Sequence, residues 1–166
     1  MPLPPGLIPT GTFAETKPTS GIPKPAVSAF PEGGSAGLKS LQTQYEPLDW
    51  TSFFDSQEKI DGRIPAYIAG TQGHVFVCLH GAGHSAMSFA ALAADLKTKS
   101  TVVAFDFRGH GQHYCDNETD LSQAILIEET LTVLGHVQKK FEGRTIVIIG
   151  HSMGGSIAAK VCHKIE

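Results

Sequence analysis

Gly150-His151-Ser152-Met153-Gly154 sets one serine between two glycines, each two residues away. Thr145 to Ile149, five β-branched residues in a row, run into it, and Ser156 to Ile165 follow at helical spacing. A strand buried on both faces, a tight turn and a helix are the parts of a nucleophile elbow, in which the strained turn exposes the serine hydroxyl at the end of a sheet. Gly150 and Gly154 let neighbouring backbone approach where a side chain would collide. The same five residues could form a plain glycine turn, so the strand and helix around them carry the reading. A serine hydroxyl is a weak nucleophile near neutral pH and needs a base to take its proton and an acid to orient that base. In an acyl transfer the backbone N–H of Met153, at the helix start, would donate to the oxyanion. A second donor is expected in His80-Gly81-Ala82-Gly83-His84, from Gly81, Ala82 or Gly83, with Ala82 favoured. Gly81 and Gly83 keep side chains out of that loop.

Eight histidines compete for the role of base. His151 adjoins Ser152, but consecutive residues on a strained turn point apart. His80 with His84, or His110 with His113 and Cys115, could be read as metal ligands, yet their spacings match no strong zinc pattern. Hydrogen bonding to loop backbone explains them more simply, and neither a metal nor a cofactor is expected. Asp106 and Arg108 read as loop braces rather than as reacting groups.

These residues need a scaffold. Trp50, Phe53 and Phe54 have the spacing of a short helical turn that could staple the entry of the domain onto its core. Gln57–Lys59 and Ile64–Ala69 read as two short strands turning at Asp61-Gly62, with mixed polarity suited to a sheet's outer edge. His74–Leu79 and Thr101–Asp106 read as buried strands. Ser85 can cap a helix carrying Phe89, Leu92 and Leu96 on one face. A second helix opens around Asp120 or Ser122, carries Ile127, Leu131, Leu134, Val137 and Phe141 along one stripe, and closes at Gly143. Strands alternating with amphipathic helices imply βαβ units and a parallel sheet, an α/β fold.

Residues 1–44 hold eight of the ten prolines, with Gly, Ser and Thr, and show no periodicity. A disordered tail is expected there, and an ordered domain over residues 45–166. A net charge of −3 argues against nucleic acid as a partner. No apolar run approaches the roughly 20 residues that cross a bilayer, and the N-terminus lacks a positive segment before an apolar core. A cytoplasmic or nuclear protein without membrane contact is expected. Cys78, Cys115 and Cys162 are odd in number and widely spaced, as suits free thiols.

In order and spacing, a strand ending in His80-Gly81, a second ending in Asp106-Phe107-Arg108-Gly109-His110-Gly111, and the turn at Ser152 resemble the first half of an α/β-hydrolase. More narrowly, Trp50-Thr51-Ser52-Phe53-Phe54-Asp55, Leu79 to Phe89 and Ile148 to Gly155 resemble the protein phosphatase methylesterases. Gly109 and Gln112 depart from that family, which flanks the His-Gly pair with a serine and an acidic residue. The resemblance implies an esterase acting on the methyl ester of the C-terminal leucine of the type 2A protein phosphatase catalytic subunit, which would be its partner. Another esterase or lipase, or an inert chain acting at most as a binding module, are the alternatives.

In α/β-hydrolases the acid and then the histidine follow the serine along the chain. Only fourteen residues follow Ser152. The reading is therefore an α/β-hydrolase fold truncated after the nucleophile elbow, without triad Asp or His. In that fold the elbow strand is central, so the flat apolar edge of Ile146–Ile149 is expected to be open and prone to aggregate, and the chain to be marginally stable at best.

Overall fold

The computed structural model describes residues 48–163, so the tail expected over 1–44 lies outside the described residues. Chain entry is a 3₁₀ turn, Trp50–Ser52, capped by Asp49, whose carboxylate accepts from the Thr51 N–H at 3.0 Å. Trp50 and Phe54 both pack on Tyr67, with ring centroids 6.0 and 5.6 Å apart, which is the staple expected from the sequence.

Among the described residues five strands form one sheet. They are β1 (Ser56–Ile60), β2 (Ile64–Ala69), β3 (Val75–Leu79), β4 (Thr101–Phe105) and β5 (Ile146–Gly150), in spatial order β1-β2-β4-β3-β5. Asp61 and Gly62 turn the β1–β2 hairpin with φ of 53° and 69°, a backbone that Asp and Gly tolerate. β2 runs antiparallel to β1 and to β4, while β3 is parallel to β4 and β5. The sheet is thus mixed, and the parallel arrangement read from the alternation holds for β3, β4 and β5. β1 forms an outer edge among the described residues. β2 does not: all six of its residues are buried, because β4 covers its other side.

Helix α1 (Ala90–Leu96) follows a 3₁₀ turn, Ala86–Phe89, capped by Ser85, and links β3 to β4. Helix α2 (Gln123–Lys140) links β4 to β5, and α3 (Met153–Cys162) leaves β5. The strands' period of two splits the core into two layers. Val75, Val77, Leu79, Val103 and Phe105 pack with Leu126, Val133, Ile157 and Val161 of α2 and α3. Cys78, Val102, Ala104 and Tyr67 face Phe54, Phe89 and Ala93 on the other side. Burying each large side chain of these layers contributes about 1.5–3 kcal/mol.

Two further expectations need correction. β5 is not buried on both faces: its residues are half-buried or exposed, with Val147 at 37%, because β5 pairs only with β3 among the described residues. Helix α3 begins at Met153 rather than at Ser156. Gly154 and Gly155 lack propensity but are held in the helix by tight packing against the ends of β3 and β5.

Candidate active site

Ser152 sits between β5 and α3 with φ 52° and ψ −114°. Asp61, in the hairpin turn, is the other non-glycine residue at positive φ among the described residues. For a serine this backbone is strained, at a cost of order 1–3 kcal/mol, and it persists only where the surroundings enforce it. Those surroundings are visible. The His151 N–H donates to the Leu79 carbonyl at 3.0 Å, the Gly154 N–H to the His151 carbonyl at 2.9 Å, and the Ser156 N–H to the Ser152 carbonyl at 3.2 Å. A β-carbon on Gly150 would lie 2.5 Å from the Gly154 carbonyl oxygen, and one on Gly154 would lie 2.2 Å from that of Leu79. Both glycines are required by contact, and Ser152 is left exposed at the carboxyl end of the sheet.

Gly81 lies against this turn, since a β-carbon there would come 2.9 Å from His151 Nδ1 and 3.3 Å from Ser152 Cβ. Gly83 has φ 72° with open space around it, so its conformation alone calls for glycine. Ala82 between them is exposed, and its N–H has no acceptor among the described residues. Met153 opens α3, so its N–H belongs to the first turn, where the helix dipole favours negative charge.

The Gly81–Ser85 loop is pinned at both ends to the end of β4. At one end the buried His80 accepts from the Phe107 N–H through Nε2, at 3.0 Å, so its Nδ1–H donates to the Gly81 carbonyl at 2.8 Å. Both nitrogens are committed, and burial holds its pKa below the ordinary histidine value, keeping the ring neutral. At the other end, buried Asp106 accepts from the Ala86 N–H at 2.7 Å. Its second oxygen accepts from the Gln112 N–H at 3.0 Å and the Tyr67 hydroxyl at 3.4 Å. Burial, and then the Asp106 charge, push the Tyr67 phenol up to about 12, so it remains a donor. Asp106 is the loop brace that the sequence suggested.

Arg108 is a brace of another kind. Its Nε and Nη2 donate to Glu129 Oε1 at 3.0 and 2.9 Å, and Arg63 reaches the same oxygen at 3.3 Å. Glu129, on α2, is buried, and sequence reasoning missed it. A signal existed: it stands three residues after Leu126 and four before Val133, on the buried stripe, where a carboxylate needs a cation. His113 donates through Nδ1 to the Asp106 carbonyl at 3.0 Å. His110 binds the Arg108 carbonyl at 2.8 Å. These histidines serve loop backbone. Among the described residues no histidine or carboxylate hydrogen-bonds Ser152 Oγ, and no three His, Cys, Asp or Glu side chains converge as for a metal.

A cavity of about 480 Å³, lined by Leu48, Tyr67, Ser85, Met87, Asp106, Gly111 and Gln112, adjoins the Gly81–Ser85 loop. A larger one, about 620 Å³, is lined by residues including Gly70, Thr71 and Arg144 at the opposite, amino ends of the parallel strands, away from Ser152. The smaller cavity is the relevant one because it borders the loop and Asp106.

The family model described as alpha/beta hydrolase family matches residues 76–165, more than half of the chain. A probable protein phosphatase methylesterase 1 of Caenorhabditis elegans is 36% identical over 148 residues, covering 84% of this chain and 38% of that protein. Protein phosphatase methylesterase 1 of Bos taurus is 34% identical over 143 residues, covering 76% of this chain and 37% of its own length. The chain thus spans less than two fifths of the length of these relatives. Among solved structures, an epoxide hydrolase from Vigna radiata superposes with a TM-score of 0.54 at 18% identity, over 64% of this chain and 33% of that one, a likeness of fold alone. With the mixed sheet, the strained serine between β5 and α3 and the glycine loop beside it, the match over residues 76–165 places the chain in the alpha/beta hydrolase family.

Proposed function

We propose that Ser152 is the nucleophile of a serine carboxylesterase, and that its substrate is the methyl ester on the C-terminal leucine of the type 2A protein phosphatase catalytic subunit. The observation that carries the esterase reading is Ser152 at φ 52°, exposed beside a glycine loop with a free N–H at Ala82. The substrate reading draws on the two methylesterase relatives, each more than 30% identical over most of this chain.

Ser152 Oγ attacks the ester carbonyl carbon while its proton passes to a base, and the carbonyl oxygen becomes an oxyanion held by the N–H groups of Met153 and Ala82. Collapse breaks the bond to methoxide, which leaves as methanol with that proton, and the acyl group stays on Ser152. Water then attacks the acyl-serine, returning its proton to Ser152 and releasing the phosphatase carboxylate. No base is assigned among the described residues, since none of their histidines or carboxylates is hydrogen-bonded to Ser152 Oγ and His80, His110 and His113 bind loop backbone. The reading places the protein in the cytoplasm or nucleus, with the phosphatase subunit as partner.

Labelling with a fluorophosphonate probe tests it, on the 166-residue chain and on the longest natural form of the protein, each with and without Ser152→Ala. Labelling of the longer form alone, dependent on Ser152, supports the proposal and makes the shorter chain inert by itself. A longer form that does not label refutes the esterase. Demethylation of a peptide bearing a C-terminal leucine methyl ester, compared with simple esters of similar size, separates this substrate from those of other esterases.

A further inference from the structure

His84 and His151 stand on the two loops that meet at Ser152, and no step of the proposed reaction uses either. Both are exposed, and their ring centroids are 5.5 Å apart with planes inclined at 65°. His84 Nδ1 is bonded to Ser88 Oγ at 3.1 Å. With that nitrogen as donor, Nε2 is the ring nitrogen left with a lone pair, the state in which an imidazole binds a metal. His151 sets its Nδ1 2.9 Å from where a β-carbon on Gly81 would lie, and neither of its ring nitrogens is hydrogen-bonded among the described residues.

Two imidazoles that each set a nitrogen about 2.0 Å from one tetrahedral zinc have ring centres on the order of 5 Å apart. The observed separation matches, and exposed side chains reach convergence by rotation about χ without disturbing the core. We propose that His84 and His151 form a binding site for a divalent first-row cation, zinc in particular, that ties the Gly81–Ser85 loop to the turn carrying Ser152. Imidazole nitrogen suits zinc, copper and nickel and not magnesium or calcium. No third protein ligand stands with the pair among the described residues, so water completes the coordination and the binding is reversible, unlike that of a closed four-ligand structural site. The pairs weighed from sequence differ: His80 has no free nitrogen, whereas His84 and His151 are brought together only by the close approach of Gly81 to the turn.

The test is independent of catalysis. Zinc chloride is titrated into the 166-residue chain in competition with a chromogenic zinc indicator. The background carries Cys115→Ser and Cys162→Ser, because Cys162 and its neighbour His163 are both exposed and would compete. The expected result is one zinc per chain, with affinity falling about tenfold or more in His84→Ala and equally in His151→Ala, and unchanged in His163→Ala. Should an alanine variant depart from the parent's circular dichroism, the His→Gln variant at that position is read in its place. No binding, binding that survives either substitution, or loss in only one of the two overturns the proposal.

Discussion

Asp106→Ala should be among the most damaging single substitutions near the site. Its carboxylate accepts from the Ala86 N–H at 2.7 Å and the Gln112 N–H at 3.0 Å, both to a buried charged acceptor. Each such bond contributes about 1.5–3 kcal/mol, and the N–H of buried Ala86 is left without a replacement, whereas that of exposed Gln112 can turn to water. The Tyr67 contact at 3.4 Å adds little. The expected loss is therefore about 3–6 kcal/mol, a large part of the 5–15 kcal/mol of an ordinary domain. Asp106→Asn keeps the shape and one acceptor, but sets an amide against one of the two donors, and should lose about 1–3 kcal/mol. Urea unfolding followed by circular dichroism gives both values. Native-state hydrogen exchange at Ala86 gives the local consequence, since the loop end it anchors should open first. If the parent's stability is smaller than the loss, the alanine variant shows no cooperative transition. An alanine variant within 1 kcal/mol of the parent, or an asparagine variant worse than the alanine one, would refute the reasoning.

Ser152→Gly should raise the thermal midpoint. It relieves a strain of about 1–3 kcal/mol at φ 52° and loses about 0.5–1 kcal/mol to the glycine's greater freedom when unfolded, so a lower midpoint contradicts the strained turn. Gly154→Ala should cost at least about 2 kcal/mol, because its β-carbon would meet the Leu79 carbonyl oxygen at 2.2 Å. Gly83→Ala meets nothing and should cost only the positive-φ penalty of about 1–2 kcal/mol; reversal of that order in chemical denaturation would show the packing to be misread. His80 is held neutral in the fold by burial, whereas in the unfolded chain it titrates near pH 6.5. Its folded pKa is depressed, so its contribution is full above about pH 6.5 and is lost as the pH falls below it, when the unfolded chain takes up the proton. Stability measured from pH 7.5 to 5 should fall less steeply in His80→Gln than in the parent; parallel profiles would remove His80 from the account.

What the sequence disclosed was local. The Asp61-Gly62 hairpin, the capping by Ser85 and the turn at Ser152 each depend on a few neighbouring residues whose backbone preferences agree, and the structure has all three. The rank of a strand in the sheet is a different kind of fact. Gln57–Lys59, three polar residues, and Ile64–Ala69, six apolar or aromatic ones, are assigned together to the outer edge of the sheet, yet they divide into an edge and an interior strand among the described residues. Composition reports how well a segment fits a pleated surface, and leaves open which surfaces will be brought to it. Glu129 was hidden for a related reason. Its spacing from Leu126 and Val133 marks a buried position, but its partner, Arg108, stands twenty-one residues earlier and is known only once the chain folds.

The same distinction divides the site. Ser152 acquires its geometry from its own turn, but the loop that would receive the oxyanion gains its position from β4: Phe107 holds His80, and Asp106 holds Ala86. Between them stands β3, whose Leu79 carbonyl accepts from His151 while Gly154 packs against it. The end of β3 is therefore common to the nucleophile turn and to the donor loop, and a displacement there moves both. This is why the glycines at 150 and 154 are set by contact with backbone rather than by chain flexibility, whereas Gly81 lies against the His151 ring and Ser152 Cβ. Two loops from different strands keep their separation only if neither can relax independently, and backbone packed on backbone leaves no side-chain rotamer through which to do so.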